Sequence, residues 1–346
     1  MSKAIRVSDF LSLQHKYPVI DVRSPAEFEK AHIPGAFNIP IFNNDERAEV
    51  GKRYKDNGKE EAVLLGLDIV GPKMKAFVLQ AKKLAANNKV LMHCWRGGMR
   101  SAAMAWLFET AGLSATTLEG GYKAYRNYIH KELAQKAKMI ILSGSTGSGK
   151  TDILLALKAK GHQVIDLEGL AHHKGSAFGS IGEKDQLQNE QFENNLHLEW
   201  SKIDKSKPVW IEDEGANIGR NYIPRDFFLN MRQAPIIKIN LSKKVRIERL
   251  VKEYTHVDKA ILIKYLDKIK KRLGPAETKA AIQSVNDNNY RVAVNNSLTY
   301  YDKAYAHGLT KRTAPDIYEL DIEKDIPEDN ADHIIDYFKT LNLYND

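Results

Sequence analysis

The single cysteine of this chain lies in a segment suited to nucleophilic chemistry. Residues 93–101 read HCWRGGMRS, and Cys94 ends the apolar run 89–94. A cysteine that follows a buried strand and opens a glycine-containing loop before a helix has backbone N–H groups and a helix N-terminus near its sulfur. Because both features stabilise a thiolate, we predict a lowered pKa for Cys94 and a catalytic, nucleophilic role.

The residues that follow Cys94 are expected to form an anion-binding loop. Arg96 and Arg100 add positive charge, while Gly97 and Gly98 permit the backbone conformations that such a loop requires. The spacing Cys-x5-Arg is that of cysteine phosphatases, and rhodanese-type sulfurtransferases often have a loop one residue shorter. The predicted loop comprises Trp95, Arg96, Gly97, Gly98, Met99 and Arg100.

A phosphate-binding motif lies further along the chain. Residues 144–151 read GSTGSGKT and satisfy the pattern G-x-x-x-x-G-K-[ST], between an apolar run and a helical stretch. Backbone N–H groups would hold phosphates, Lys150 would reach the outer phosphate, and Thr151 would ligate Mg2+. The predicted P-loop comprises Gly144, Ser145, Thr146, Gly147, Ser148, Gly149, Lys150 and Thr151.

The P-loop should have an acidic partner at the end of a neighbouring strand. Residues 209–214 read VWIEDE, and Asp213 is the preferred Walker-B candidate, with Glu212 second. An ordinary acidic strand end is the alternative. Mg2+ would be held by Thr151 and Asp213, and no covalently bound cofactor is expected.

The segment 166–179, which reads DLEGLAHHKGSAFG, is unusually rich in Gly, His and Lys. Its two histidines lack a third metal ligand at a suitable spacing, so we favour a contact with an anion or RNA over a metal site. A plain flexible loop is the alternative. Arg220, Arg225 and Arg232 are further candidates for phosphate contacts.

Short apolar runs alternate with helical patterns throughout the chain, which indicates an α/β fold with parallel sheets. The first series has predicted strands at 18–22, 36–39 and 89–94, and the second has them at 138–143, 163–167, 208–212 and 235–241. Residues 122–137 read as a polar helical connector, and residues 244–306 are predicted to be mostly helical. We place the domain boundary near Gln135, which gives domains 1–135 and 136–346.

The composition is that of a globular protein with a basic surface. Of 346 residues, 43% are hydrophobic and 28% are charged, with a formal net charge of +8. Residues 1–135 hold 20 Lys and Arg and 14 Asp and Glu, so they carry +6 of that charge. A basic excess suits a polyanion such as RNA. The charged segment 43–62 is either a solvated excursion or a basic arm over the active site, carrying Arg47, Lys52, Arg53 and Lys55.

The cysteine content and the N-terminal sequence predict a cytoplasmic protein. One cysteine cannot form an intramolecular disulfide, which suits a reducing compartment. The first residues lack the continuous apolar core of a signal peptide. No apolar run approaches the roughly 20 residues of a membrane helix, so no membrane partner is expected.

The first 130 residues resemble the rhodanese family. Residues 21–28 (DVRSPAEF) and 32–40 (HIPGAFNIP) are similar to the signature DVR-x-x-x-E-[FY] followed by H-I-P-G-A-x-N-I-P. We expect Asp21 and Arg23 to support the cysteine loop by hydrogen bonds and to take no part in the chemistry.

Over nearly the whole chain, the cysteine loop, the P-loop, the segment 166–179 and the acids 212–214 resemble the bacterial tRNA 2-selenouridine synthase family. The resemblance implies an N-terminal rhodanese-like domain followed by a P-loop NTPase-like domain with a helical C-terminal part. It implies a transferase that converts 2-thiouridine at the tRNA wobble position to 2-selenouridine. Selenophosphate and geranyl diphosphate are the implied co-substrates, and the reaction passes through an S-geranylated uridine.

In that resemblance Cys94 matches the cysteine that carries selenium, and the implied partners are tRNA and an enzyme that supplies selenophosphate. The sequence departs from the expected pattern at 214–217 (EGAN), where a more basic run would be typical. The alternatives are a rhodanese-type sulfurtransferase coupled to a P-loop kinase or NTPase, a cysteine phosphatase, and a regulatory rhodanese module. Regulatory modules commonly lose the cysteine or the loop arginine, and this chain has both.

Overall fold

The computed structural model describes residues 3–176, 178–310 and 316–344. The chain divides into two compact units, residues 1–132 and 133–346. Within the described residues each unit contains one five-stranded sheet whose paired strands all run parallel. The predicted α/β class with parallel sheets is confirmed, and the domain boundary near Gln135 stays a prediction.

The sheet of the first unit has the strand order β1-β5-β4-β2-β3. Its central strand β4 is buried because its side chains alternate between two apolar layers, with Val90 and Met92 in one and Leu91 in the other. The strands are β1 (Lys3–Ile5), β2 (Val19–Asp21), β3 (Phe37–Asn38), β4 (Lys89–His93) and β5 (Ser114–Leu118).

Helices cover both faces of this sheet, as the crossover connections between parallel strands require. A short 3-10 turn, Gly71–Lys73, precedes the fifth helix. The helices are α1 (Val7–Leu13), α2 (Pro25–Lys30), α3 (Asn44–Asn57), α4 (Lys59–Val70), α5 (Met74–Leu84), α6 (Met99–Thr110) and α7 (Gly121–Leu133).

The charged segment 43–62 forms helix α3 and the start of α4, and most of its residues are solvent-exposed, as the solvated alternative predicts. A role over the active site stays a prediction. Asn43 caps α3 by accepting a hydrogen bond from the Glu46 backbone N–H at 2.8 Å, and Glu46 accepts in return from the Asn43 N–H at 2.9 Å. This reciprocal capping box stabilises a helix whose residues are all solvent-accessible.

The segment predicted as a polar connector is the amphipathic helix α7. Tyr122, Tyr125 and Ile129 are at most 1% exposed and belong to the apolar layer that contains Leu91. Their spacing places them on one helical face, so α7 is part of the core of the first unit. The polar residues between them occupy the other faces and conceal the pattern in the sequence.

The sheet of the second unit has the strand order β12-β11-β6-β8-β7. Its central strand β6 is fully buried, with Ile141 facing one apolar layer and Leu142 facing the other. The strands are β6 (Met139–Gly144), β7 (Gln163–Ile165), β8 (Val209–Glu212), β11 (Ile236–Leu241) and β12 (Ile317–Ile322), and β9 (Asn217–Ile218) pairs antiparallel with β10 (Asn221–Tyr222).

The second unit also contains a block of consecutive helices, which confirms the helical prediction for residues 244–306. No helix in the described part of the chain is long and apolar enough to cross a membrane. The helices are α8 (Lys150–Ala159), α9 (Leu167–Ala171), α10 (Asn189–Trp200), α11 (Arg225–Gln233), α12 (Lys243–Tyr254), α13 (Lys259–Lys268), α14 (Lys270–Leu273), α15 (Pro275–Asn286), α16 (Tyr290–Thr310) and α17 (Pro327–Leu341).

A glycine turn between β5 and α7 supports the loop that follows β4. Gly121 has φ +60°, and a Cβ there would lie 2.4 Å from both the Cys94 carbonyl oxygen and the Gly97 nitrogen. The Tyr122 N–H donates to the Cys94 carbonyl at 2.9 Å, and the Lys123 N–H donates to the Trp95 carbonyl at 2.9 Å. The cysteine loop therefore rests directly on the backbone of the start of α7.

Gly121→Ala should lower the free energy of unfolding by about 2–4 kcal/mol, because a methyl group there collides with backbone atoms and the φ is left-handed. Gly112→Ala is the matched control. Gly112 has φ +87°, but a Cβ there would have no heavy atom within 4 Å. The control should lose only about 1 kcal/mol from strain. Calorimetry of the full chain measures both, and equal losses would contradict the packing argument.

Candidate active sites

The Cys94 side chain lies at the carboxyl end of the first sheet, between the end of β4 and the start of α6. The residue is 3% exposed, and its sulfur is 3.2 Å from the Ser101 hydroxyl oxygen. The Ser101 hydroxyl oxygen also lies 3.1 Å from the Gly98 carbonyl oxygen, so its single proton is donated either to that carbonyl or to the sulfur. The loop thus folds back on itself and encloses the sulfur.

Hydrogen bonds to the sulfur favour the thiolate over the thiol. Burial alone raises the pKa of Cys94, since it penalises the charged form. The Ser101 hydroxyl and backbone N–H, together with the N–H groups of Arg96 and Gly98, donate to the sulfur and outweigh burial. The resulting pKa of Cys94 is lowered, as a nucleophilic cysteine requires.

The two loop arginines have different surroundings. Arg96 is exposed. Arg100 Nη1 donates to Glu27 Oε2 at 2.9 Å, and Arg47 Nε lies 3.8 Å from the same oxygen. Burial raises the pKa of Glu27, but the charge of Arg100 and its hydrogen bond more than offset this, so the pKa of Glu27 is lowered. Glu27 therefore holds Arg100 beside the loop as a charged pair.

A buried ion pair lies in the core near the cysteine loop. Arg23 Nη2 donates to Asp21 Oδ2 at 2.5 Å and to the Ala31 carbonyl at 2.7 Å. The Arg23 guanidinium also lies 4.0 Å from the centre of the Tyr122 ring. Because the Tyr122 backbone N–H donates to the Cys94 carbonyl oxygen, these contacts orient the segment on which the loop rests.

The P-loop of the second unit joins β6 to α8. Gly147 and Gly149 have φ +79° and +78°, conformations that glycine adopts without strain. Lys150 Nζ donates to the Gly144 carbonyl at 2.9 Å, so the side chain folds back over the loop. The Thr151 hydroxyl donates to Glu168 Oε2 at 2.8 Å, a carboxylate that the sequence analysis did not single out.

The two Walker-B candidates differ in what surrounds them. Asp213 Oδ2 accepts a hydrogen bond from the Ser143 hydroxyl, which is 2.5 Å from the Tyr305 hydroxyl. Glu212 is fully buried, and Glu212 Oε1 accepts from the Glu168 N–H at 2.6 Å. Burial, and then neighbouring carboxylates, raise the pKa of Glu212 well above its usual range. A carboxyl group whose ionised form is disfavoured is a poor cation ligand, so Asp213 remains the preferred Walker-B candidate.

Glu214 adds a half-buried carboxyl group at the same edge of the sheet. Burial, followed by the charge of Glu168, raises the pKa of Glu214 to about 8, and the charge of Lys150 opposes the shift. Thr151, Asp213 and Glu168 provide oxygen donors of the type that Mg2+ prefers. No group of three or more His, Cys, Asp and Glu side chains among the described residues is arranged to hold a metal by itself.

A cavity of about 970 Å3 opens beside the P-loop, and we call it the P-loop cavity. One end is formed by P-loop residues with Asp213 and Glu214. The remaining lining mixes charged side chains, such as Lys174 and Arg272, with aromatic and apolar side chains from the segment 166–179 and from the helical block. The side of the cavity on which the apolar side chains lie is called the apolar end, and both ends belong to the second unit.

The segment 166–179 contributes directly to this cavity. His173 and Phe178 are among its lining residues, and Lys174 pairs with Glu183 at 3.8 Å. Burial lowers the pKa of His173, and the charge of Glu183 opposes this shift. Ala177 lies outside the described residues, and the contact with an anion or RNA stays a prediction.

Sequence analysis missed several cavity residues and proposed others that lie elsewhere. Arg220, Arg225 and Arg232 are all described, and none of them lines the P-loop cavity. Arg249 does line it, and its guanidinium donates to Asp325 at 2.7 Å. The helical block carries no motif that marks its cavity residues, which are Arg249, Leu250, Glu253, Tyr254, His256, Val257, Ile269, Arg272, Tyr300, Tyr301 and Tyr305.

Ser101→Ala should slow alkylation of Cys94 by iodoacetamide about tenfold at neutral pH, because a hydrogen bond to a charged group contributes about 1.5 kcal/mol. The pH profile of the alkylation rate should move to higher pH, since the lost donor stabilised the thiolate. Ser12→Ala is the control, because Ser12 is exposed and bonds only its own helix. An unchanged profile would show that Ser101 does not stabilise the thiolate.

Comparison with known proteins gives consistent assignments for both units. A family model described as the tRNA 2-selenouridine synthase AAA domain matches residues 137–328, and one described as a rhodanese-like domain matches residues 7–128. A rhodanese-related protein from Thermoplasma volcanium has 22% identity and a TM-score of 0.24, covering 36% of this chain and 92% of that chain. The predicted fold class, rhodanese-like followed by P-loop NTPase-like, is confirmed by the two family models.

Curated relatives are similar over both units. The tRNA 2-selenouridine synthase of Bdellovibrio bacteriovorus is 42% identical over 252 residues, covering 70% of this chain and 65% of that protein. That of Shewanella halifaxensis is 37% identical over 260 residues, covering 73% and 70%. The match covers slightly less than two thirds of some relatives, at 65% and 66%. From the matched family model and these identities, we conclude that the chain belongs to the tRNA 2-selenouridine synthase family.

Proposed function

We propose that this protein converts 2-thiouridine at the wobble position of tRNA to 2-selenouridine. Selenophosphate is the selenium donor, and geranyl diphosphate supplies the alkyl group of an S-geranylated intermediate. The proposal places selenium transfer at Cys94 and geranyl transfer at the P-loop cavity. Family membership supports the overall reaction, and the two sites support this division of labour.

The observation that carries the proposal is the set of N–H and O–H donors around the Cys94 sulfur. Donors from Ser101, Arg96 and Gly98 stabilise a negative charge there. Attack of this thiolate on the phosphorus of selenophosphate would break the P–Se bond and release selenide at an unchanged oxidation level, for attack on C2 of the alkylated base. Water then hydrolyses the phosphocysteine to phosphate and the free thiolate. The x5 loop, with Arg96 and Arg100 beside it, is also suited to a tetrahedral anion such as selenophosphate.

The P-loop serves in this proposal as a diphosphate site. Its backbone N–H groups and Lys150 would hold the diphosphate of geranyl diphosphate while the carbon–oxygen bond to that group breaks. The thiouridine sulfur forms the new bond to the allylic carbon, and the N3 proton of the base is released. Mg2+, held by Thr151 and Asp213 together with the phosphates, would supply additional positive charge when bound.

S-alkylation explains why two sites are needed for one exchange of atoms. A thiocarbonyl sulfur is a poor leaving group, whereas a geranyl thiol leaves readily from C2 of the base when selenium attacks. The first step therefore prepares the substrate for the second. Tight binding of diphosphate and activation of selenium make different demands, and the two units of this chain carry features suited to each.

The proposed reaction can be tested directly with purified protein. Incubation with 2-thiouridine tRNA, geranyl diphosphate and selenophosphate, followed by nucleoside digestion and mass spectrometry, should yield 2-selenouridine. Omission of selenophosphate should leave the geranylated nucleoside. Absence of both products with active reagents would refute the assignment. Turnover of thiosulfate together with ATP hydrolysis would instead favour a sulfurtransferase coupled to an NTPase.

The division of labour predicts opposite effects of two substitutions. Cys94→Ala should abolish selenium incorporation and leave geranylation largely intact, because it removes the nucleophile and spares the P-loop. Lys150→Ala should reduce geranylation by about 100-fold or more, because it removes the positive charge that stabilises the departing diphosphate. Selenation of tRNA that is already geranylated should be unchanged in this variant.

Lys158→Ala is the matched control for the P-loop lysine, because Lys158 lies on α8 and is exposed. It should leave both steps unchanged. Mass spectrometry of the two nucleosides measures each step separately. If Cys94→Ala and Lys150→Ala both abolish the same single step, the assignment of one step to each site is wrong.

A further inference from the structure

We propose that the apolar end of the P-loop cavity binds the carbon chain of a prenyl diphosphate whose diphosphate is held by the P-loop. This inference rests on the proposed function, in which geranyl diphosphate is a substrate, and it adds where the chain is bound. The side chains that we assign to the carbon chain are called the apolar wall. They are Phe178, Ile181, Tyr254, Val257 and Ile269.

The apolar wall is built on a hydrophobic core and is not a set of isolated surface residues. Phe178 and Ile269 belong to the core of the helical block, and they are 6% and 3% exposed. Ile181, Tyr254 and Val257 pack against that core and remain half-buried. When an apolar ligand displaces water from the apolar surface of a cavity, the complex is stabilised by the hydrophobic effect.

Aromatic contacts hold the wall in place. The Phe178 ring lies 5.5 Å from the Tyr254 ring and 5.9 Å from the Tyr265 ring, measured between centroids. The Ser180 hydroxyl is also hydrogen-bonded to the Tyr265 hydroxyl. Because the segment 166–179 and the helical block are joined here, the wall is preformed, which lowers the entropic cost of binding an apolar chain.

Helix α16 connects the apolar wall to the phosphate end of the same cavity. The Tyr305 hydroxyl lies 2.5 Å from the Ser143 hydroxyl, directly before the P-loop. Tyr301 is one helical turn earlier, on the same face, and it packs against the core beneath the apolar wall. Both tyrosines line the cavity, so the apolar and phosphate ends are adjacent along one helix.

A second contact fixes α16 against the P-loop. Arg246 is 6% exposed and donates to both carboxylate oxygens of Asp302 at 2.8 and 3.0 Å. It also donates to the Thr146 carbonyl at 3.1 Å. A bidentate pair between a buried arginine and a half-buried aspartate therefore holds the phosphate-binding loop at a fixed distance from the apolar wall, as a ligand with one anionic and one apolar end requires.

The cavity size and charge also suit such a ligand. Its volume of about 970 Å3 is at the upper end of the roughly 300–1,000 Å3 typical of small-molecule sites. It can hold a prenyl diphosphate and leave space for a nucleobase at the allylic carbon. Lys150 supplies positive charge at the P-loop, whereas Arg249 is paired with Asp152 and Asp325. Tyr300 and Tyr301 also line the cavity.

Binding measurements with the full chain test the inference independently of catalysis. Calorimetric titrations would compare geranyl diphosphate, dimethylallyl diphosphate, inorganic pyrophosphate and ATP in a buffer that contains Mg2+. We expect geranyl diphosphate to bind about 100-fold more tightly than pyrophosphate, with dimethylallyl diphosphate between them, since affinity rises with buried apolar carbon.

Two substitutions test where the carbon chain of the ligand is bound. Val257→Ser should weaken geranyl diphosphate about tenfold and leave pyrophosphate unchanged, because it removes apolar contact and spares the P-loop. Val292→Ser is the matched control, because Val292 is 40% exposed on α16 and does not line the cavity. Ile181→Trp should fill the space beside the apolar wall and shift the binding preference from geranyl diphosphate toward the shorter dimethylallyl diphosphate. Thermal unfolding of each variant would verify that it folds.

The outcomes separate this inference from the proposed function. Equal affinities for geranyl diphosphate and pyrophosphate would contradict binding of the carbon chain at the apolar wall. An unchanged chain-length preference in folded Val257→Ser and Ile181→Trp would contradict it as well. Tighter binding of ATP than of geranyl diphosphate would also overturn it. Chain-length-dependent binding that is altered by Val257→Ser, without any modification of thiouridine tRNA, would support the wall and refute the proposed function.

Discussion

Backbone N–H groups that converge on one point, directly after a buried parallel strand, are the constraint on which both sites depend. In the first unit they surround the Cys94 sulfur after β4, and in the second they form the P-loop after β6. A helix begins within a few residues in each case. Both strands are central in their sheets, so the rigid core determines where the loop begins and the helix determines where it ends.

Such loops need space that only glycine leaves. Gly121 allows the backbone of α7 to touch the backbone of the cysteine loop, and Gly149 adopts a left-handed conformation at the start of α8. The side chains then adjust the charge. Ser101 shifts the cysteine toward its thiolate, and Glu27 holds Arg100 nearby. The nucleophile is thus prepared by neighbours on three different elements.

Buried ionisable groups have opposite consequences in the two units. Asp21 and Arg23 form a buried pair of opposite charges, so neither charge is left without a partner in the core. This pair stabilises the segment beneath the loop. Burial, followed by the charges of neighbouring carboxyl groups, raises the pKa values of Glu212 and Glu214. At neutral pH this reduces the negative charge beside a loop that is proposed to bind a diphosphate. A site of this kind can keep its carboxyl groups without repelling an anionic substrate.

The helical block gives the second unit a feature that the P-loop alone does not provide. Its helices place Tyr254, Val257 and Ile269 around the phosphate site, and Arg246 with Asp302 holds α16 in position. A phosphate-binding loop selects for an anion and leaves the rest of the ligand undefined. The surrounding wall therefore determines which phosphate ester is bound.

The sequence by itself determined the class of chemistry and the order of elements. Cys94 with its loop, the P-loop motif and the alternation of strands and helices depend on local spacing, which a linear sequence displays. The core face of α7 was missed, since polar residues separate Tyr122, Tyr125 and Ile129. Tertiary structure alone decided the contacts between distant residues: Ser143 with Tyr305, Thr151 with Glu168, and Arg100 with Glu27. Those contacts join positions far apart in the chain, and only packing of the sheets and helices brings such positions together.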